Sequence, residues 1–172
     1  MRTLKEDFFD NLGIGEEKQI RDWLESHKIR NYTLNNDLSI DVRGKVEIYE
    51  DLPEYIQFNN IYGSFIVLFE NVTSMKGFPK YVEKSFFISK TNIEILDNCP
   101  EEVNDFEIIL NKKLKKIESL PKKINGIARF YQNGKRTTSE IYRKLCSVTK
   151  DKVYDTEKSY KSYMYRCYYS DN

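Results

Sequence analysis

Apolar positions recur along this chain on a long period that prolines mark. Pro79, Pro100 and Pro121 stand 21 residues apart. Seven residues before each lie Val72, Ile93 and Leu114, and four before lie Met75, Leu96 and Ile117. Phe78, Cys99 and Leu120 directly precede the prolines, and Val82, Val103 and Ile124 follow three residues after. A fixed period of this length is the signature of stacked repeats. Each unit also holds a short apolar run, Phe65–Leu68, Phe86–Ile88 and Ile108–Leu110, whose aromatic and β-branched residues predict strands. One strand per unit in a constant direction predicts a parallel sheet, which closes its core only when units stack. The proline ends each connecting arm, since it blocks a helix and favours an extended residue before it. The arms are therefore expected to be extended or turn-like, with little helix.

The flanks read differently. Leu4, Phe8, Phe9 and Leu12 fall near helical spacing, and Gly13-Ile14-Gly15 interrupts them. A second helix is predicted from about Glu16 to His27, with Ile20, Trp23 and Leu24 as its apolar stripe and Trp23 as the anchor onto the stack. Tyr32 and Leu34 alternate with polar residues, then Leu38–Val42 and Lys45–Tyr49 read as strands about an Arg43-Gly44 turn. Counted back from Pro53, Val46, Tyr49 and Leu52 match Val72, Met75 and Phe78. Pro53 and Pro79 are 26 residues apart, which implies a five-residue insertion near Phe58–Tyr62. Beyond the regular units, Ile127–Tyr131 predicts another strand. Thr137 and Glu140 make a capping box for a helix bearing Ile141, Leu145 and Cys146. The last residues are dense in tyrosine, from Tyr154 to Tyr169.

The fold class this predicts is α+β: a short parallel β-solenoid with helical caps at both ends. It forms a single domain over 1–172, with an N-terminal cap over 1–30, the repeat stack over 31–131, and a C-terminal helix and Tyr-rich tail over 132–172.

The phrase Asn71–Val82, followed by Ser85–Ser89, is similar to the short leucine-rich-repeat-like units of tailed-bacteriophage proteins. Those units carry an N-L-T-S-L-x-G-x-P core and then a strand. The lead-in Ile29–Leu34 with Asp37–Val42 resembles the segment before those units. Leu96…Cys99-Pro100…Val103 and Ile117…Leu120-Pro121…Ile124 resemble the L-x-x-L-P-x-x-L cadence of leucine-rich repeats in bacterial effectors. The likeness covers roughly 29–131. The chain departs from it at Glu107, where a strand Phe is expected, and at Asn98 and Ser119, which stand where Gly77 does. The resemblance implies a solenoid and possible action on a bacterial host protein; it implies no catalytic residue.

Charge adds a second layer. The chain holds 28 Lys+Arg and 27 Asp+Glu, so no overall field draws it to nucleic acid or membrane. Three scattered cysteines fit a reducing compartment better than a disulfide framework. Without a signal-peptide run or a membrane-length apolar stretch, the expected location is cytoplasmic, in the host bacterium if the chain is phage-encoded. No phosphate loop, metal-ligand cluster or paired acid–base set is visible, so neither an enzyme nor a cofactor is expected.

Two candidate surfaces remain. Strands that are apolar on both parities imply either that both sheet faces are covered or that one binds a partner or a second copy. Phe65, Val67, Phe86, Ile88, Ile109 and Phe130 are the candidates there. Lys112, Lys113, Lys115, Lys116, Lys122 and Lys123 crowd one unit. They read as a solvated face, or as a basic patch for nucleic acid together with the Tyr-rich tail. The function expected is a non-enzymatic protein-binding module. A nucleic-acid binder and a virion or scaffold component are the alternatives.

Overall fold

Because an extended segment leaves its backbone N–H and C=O groups open on both edges, each repeat needs a neighbour to satisfy them. The computed structural model describes residues 14–109, 111, 113–131, 139–149 and 153–154. In it the chain winds as a parallel β-solenoid of about 4 turns, with a short helix at each end. In chain order the elements are α1 (Ile14–Ser26), β1 (Tyr32–Leu34), β2 (Ile40–Arg43), β3 (Val46–Ile48), β4 (Phe58–Tyr62), β5 (Phe65–Leu68) and β6 (Tyr81–Ser89). There follow β7 (Ile95–Leu96), β8 (Glu102–Ile109), β9 (Lys116–Ile117), β10 (Lys123–Ile124), β11 (Ala128–Tyr131), α2 (Ser139–Val148) and β12 (Val153–Tyr154). The main sheet runs β1-β2-β4-β6-β8-β11-β12, with β3 and β5 extending the early rungs and β10 pairing with β8. The arms carry their own parallel pair, β7 with β9. The helix predicted over 3–12, the Thr137 cap and the Tyr-rich tail beyond Tyr154 lie outside the described residues.

Inside the coil the strands stack like on like. Phe65 pairs with Phe86, and Phe86 with Phe106. Their rings lie parallel at centroid distances of 6.0 and 5.9 Å, and Phe78 from the arm meets Phe65 edge-on at 5.1 Å. Offset stacks at such spacings add about 0.5–1.5 kcal/mol each to the burial of the rings. Val67, Ile88 and Ile108 form the next inward layer, and the arm residues Val72, Met75, Ile93 and Leu96 close the core from the other side, all buried. The second sheet face holds a smaller cluster: Phe87 and Ile109 are buried, with Ile66 and Leu68 partly so. Both parities of the apolar runs therefore lie wholly or partly away from water.

Within β6 the register departs from a strict 21-residue count. Val82 pairs with Val103, but Ser85 pairs with Asp105, so β6 carries one extra residue as a bulge. Phe106, not Glu107, is thus the stacking counterpart of Phe86, and the third unit keeps its aromatic. Glu107 lies beside Phe87 on the second face.

The first unit also differs from its sequence reading. Phe58–Tyr62 is no insertion but the regular strand β4, paired with β2 and β6. Pro53 is out of step with Pro79, because the turn Ile56 N–H to Pro53 C=O corresponds to Phe78 N–H to Met75 C=O. The Arg43-Gly44 turn makes no hairpin: β2 and β3 each pair parallel with the following rung. Gly44 and Gly63 break those two rungs, where a Cβ on Gly63 would come within 2.2 Å of the Gly44 carbonyl oxygen.

The ends are closed by other means. On α1, Ile20 and Leu24 are fully buried, and Trp23 reaches the core edge-on to Phe58 at 6.3 Å. The anchoring role predicted for Trp23 is what the structure shows. His27 stacks on Trp23 at 3.9 Å just past the helix end. Strand β1 runs antiparallel to β2, ending the parallel ladder there. At the other end Leu145 of α2 joins the main core, and Thr149 bridges to Ile124. No helix among the described residues is long and apolar enough to cross a membrane.

Because Phe86 touches ladder partners on both sides, Phe86→Ala is expected to remove about 3–5 kcal/mol of stability. Guanidinium unfolding measures it, and a loss under about 1 kcal/mol would mean that the ring ladder contributes little.

Candidate functional site

The strand residues first considered for a partner are not on the surface. Phe65, Val67, Phe86 and Ile88 are fully buried in the main core, and Phe130 is buried with them. Ile109 is fully buried in the second cluster. The inward pleat removes the first five from any partner and the second-face cluster covers Ile109, which corrects the expectation placed on them.

The lysines are on the surface, but not as an open basic field. Lys115 pairs with Glu94 at 2.9 Å and Lys122 with Glu101 at 2.7 Å, each across one rung. Lys123 pairs with Glu102, and Lys116 with Glu118. Lys113 faces a groove described below, and Lys112 lies outside the described residues. Glu94, Glu101 and Glu102 on the preceding coil, with Glu118 beside Lys116, thus neutralise much of the basic stretch. Phosphates would have to displace these carboxylates, which counts against a nucleic-acid platform.

What the surface does offer is a groove along the connecting arms. It has a volume of about 490 Å³ and is lined by Thr73, Ser74, Met75, Asn92, Glu94, Ile95, Asp97 and Lys113, from three successive arms. Its sides are held by hydrogen bonds that run from rung to rung. The Asp51 carboxylate accepts from the Thr73 and Ser74 backbone N–H groups at 2.7 and 2.9 Å, and from the Thr73 hydroxyl. The Asn92 side-chain amide donates to the Glu70 carbonyl at 2.8 Å. Deeper in the turn, Asn111 Oδ1 accepts from the Thr91 N–H and hydroxyl, and both residues are buried. Ile95 stands in the groove 40 % exposed, an apolar side chain among polar ones.

At the Glu70 end of this face lies an aromatic ledge. Phe69 is 54 % exposed and Tyr49 44 % exposed, with ring centroids 5.7 Å apart. Phe69 has φ 79°, in the left-handed region, where a side chain with Cβ loses about 1–2 kcal/mol. Lys90, one period later, shares this backbone state with φ 58°. The turn imposes the conformation, and Phe69 adds a large exposed ring to a position better suited to Gly or Asn. The sequence reading missed this residue, because Phe69 directly follows an apolar strand and looks like its continuation.

Among the described residues no group of three or more His, Cys, Asp or Glu is placed to hold a metal ion. The arrangement offers surfaces and hydrogen-bonding groups.

The paired glutamates set a pH dependence. The Lys115 ammonium holds Glu94, and the Lys122 ammonium holds Glu101, below the usual glutamate value of 4.5. A lowered folded value gives stabilisation that is present above the unfolded value and lost as pH falls through the folded one. The double variant Lys115→Gln/Lys122→Gln is therefore expected to unfold in less urea than wild type at about pH 6. The two should converge at about pH 3, and also in high salt. A gap that persisted in acid would assign the lysines a role other than these pairs. Compared with protein-family models, curated proteins and solved structures, the chain matches none.

Proposed function

We propose that this protein is a non-enzymatic binding module whose arm groove takes an extended segment of a partner polypeptide. The observation that carries the reading is the groove itself. Its volume falls within the usual range for ligand sites, about 300–1,000 Å³, but polar and apolar surface share its walls about equally and come from successive arms. A small apolar ligand would face polar side chains from all three arms. A polypeptide can instead use Asn92, Thr73 and Asp97 for hydrogen bonds and Ile95 for an apolar contact. Regular rungs also hold these groups on a rigid frame, so little ordering is needed on binding. The resemblance of Asn71–Val82 to phage repeat units suggests a bacterial host protein as the partner. The paired lysines make nucleic acid the weaker reading.

A photoreactive residue placed at Ile95 tests this in bacterial lysate, with the same residue at the exposed Lys18 of α1 as control. A discrete polypeptide should cross-link from position 95 and not from position 18, and Asp97→Arg should abolish the product. Identical products from both positions would end the groove reading.

A further inference from the structure

We propose that the Tyr49–Phe69 ledge receives an arginine side chain from the polypeptide lying in the groove, so that an Arg-bearing segment is the chemical class recognised. This rests on the groove reading and deepens it. The two features are continuous, since the Glu70 carbonyl beside Phe69 holds Asn92, which lines the groove.

The chemistry of the ledge favours a cation. Glu47, Glu50, Asp51 and Glu70 all lie within two residues of Tyr49 or Phe69 in sequence. The Tyr49 hydroxyl donates to Glu47 Oε2 at 2.7 Å, which fixes the ring beside a carboxylate. Glu47 is met by Lys45 at 2.9 Å, and Asp51 is engaged with the Thr73 turn, while Glu70 is exposed at the groove end. Glu50 lies 3.6 Å from the His27 imidazole, which leaves Glu70, next to Phe69, as the acid for a guanidinium whose plane stacks on a ring while its edge forks to a carboxylate.

The chain makes this contact within itself elsewhere. The Arg21 guanidinium lies over the Tyr32 ring at 5.7 Å and donates to Glu17 through Nε at 2.9 Å and Nη2 at 2.7 Å. Arg43 lies over the Tyr62 ring at 5.1 Å. The ledge offers the same ring and carboxylate components with larger exposure. The strained backbone of Phe69 points the same way, because folding alone would be served as well or better by a residue that accepts the left-handed turn.

The test is fluorescence anisotropy on the full chain with short labelled peptides of alternating glycine and arginine, glycine and lysine, or glycine and glutamate. The arginine peptide should bind at low salt, the lysine peptide about tenfold more weakly, and the glutamate peptide not at all. Phe69→Asn should weaken arginine-peptide binding about tenfold with the thermal midpoint unchanged or raised, and Glu70→Lys should weaken it similarly. Equal binding of arginine and lysine peptides overturns the proposal, as does undiminished binding by Phe69→Asn or no binding of the arginine peptide. Cross-linking from position 95 reads the groove separately. A product there without arginine selectivity removes the ledge assignment alone, and selectivity without a product removes the groove reading alone.

Discussion

Each rung of this protein depends on the next one for its backbone hydrogen bonds. Lys80 N–H reaches the Asn59 carbonyl, Glu101 N–H reaches that of Lys80, and Lys122 N–H reaches that of Glu101. No single turn can make these bonds alone, and no single turn can cover its own phenylalanine. The Phe65–Phe86–Phe106 stack and the backbone ladder therefore form together or not at all. The same dependence makes the ends special. An unfinished ladder would be an open template, and the antiparallel β1, the Trp23 helix and Leu145 of α2 are the devices that finish it.

Turns between rungs face a harder problem, because their N–H groups point along the stack and lack a strand to receive them. Side chains from the neighbouring rung do so instead. Asp51 accepts from Thr73 and Ser74 and Asp105 from Ile127, and at the register shift between β2 and β4 Asp41 accepts from the Asn60 N–H. Asn111 serves Thr91 in the same way and returns its own amide to the Ile88 carbonyl. Such short polar side chains are suited to bonding nearby backbone, and here they join one coil to the next. The surface glutamate–lysine pairs repeat that connection more weakly, since solvent screens exposed charges.

Much of this was legible in the residues. Proline spacing gave the period, and the apolar runs gave strand positions, with Phe65–Leu68 matching β5 end to end. The one-residue bulge in β6 was not legible, because a count anchored on prolines carries the shift onto Glu107 and hides Phe106. Pro53 misled for the opposite reason: proline ends an extended arm at more than one place, so a shared residue type is no proof of shared register. The lysine cluster looked free because the glutamate partners of Lys115, Lys122 and Lys123 lie 21 residues earlier, invisible to a local reading yet adjacent in the coil. The aromatic ledge depended on a backbone angle, which residue types alone do not announce.

Strand positions are fixed by the interior, and the turn-bonding aspartates by the ladder, so neither is free to vary with a partner. The turn at Phe69 is different. Its first hydrogen bond, Val72 N–H to Phe69 C=O, recurs as Leu114 N–H to Asn111 C=O, and Lys90 holds the corresponding place between them. One left-handed turn thus carries phenylalanine and lysine in successive rungs. Asn111 is buried and used to tie the turns, whereas Phe69 and Lys90 are exposed. The coil needs the bend but not the ring, so the chemistry displayed there is set by something other than folding. A solenoid of this kind separates the two demands by position. The pleats hold the shape, and the turns and arms at its side are left free of that demand.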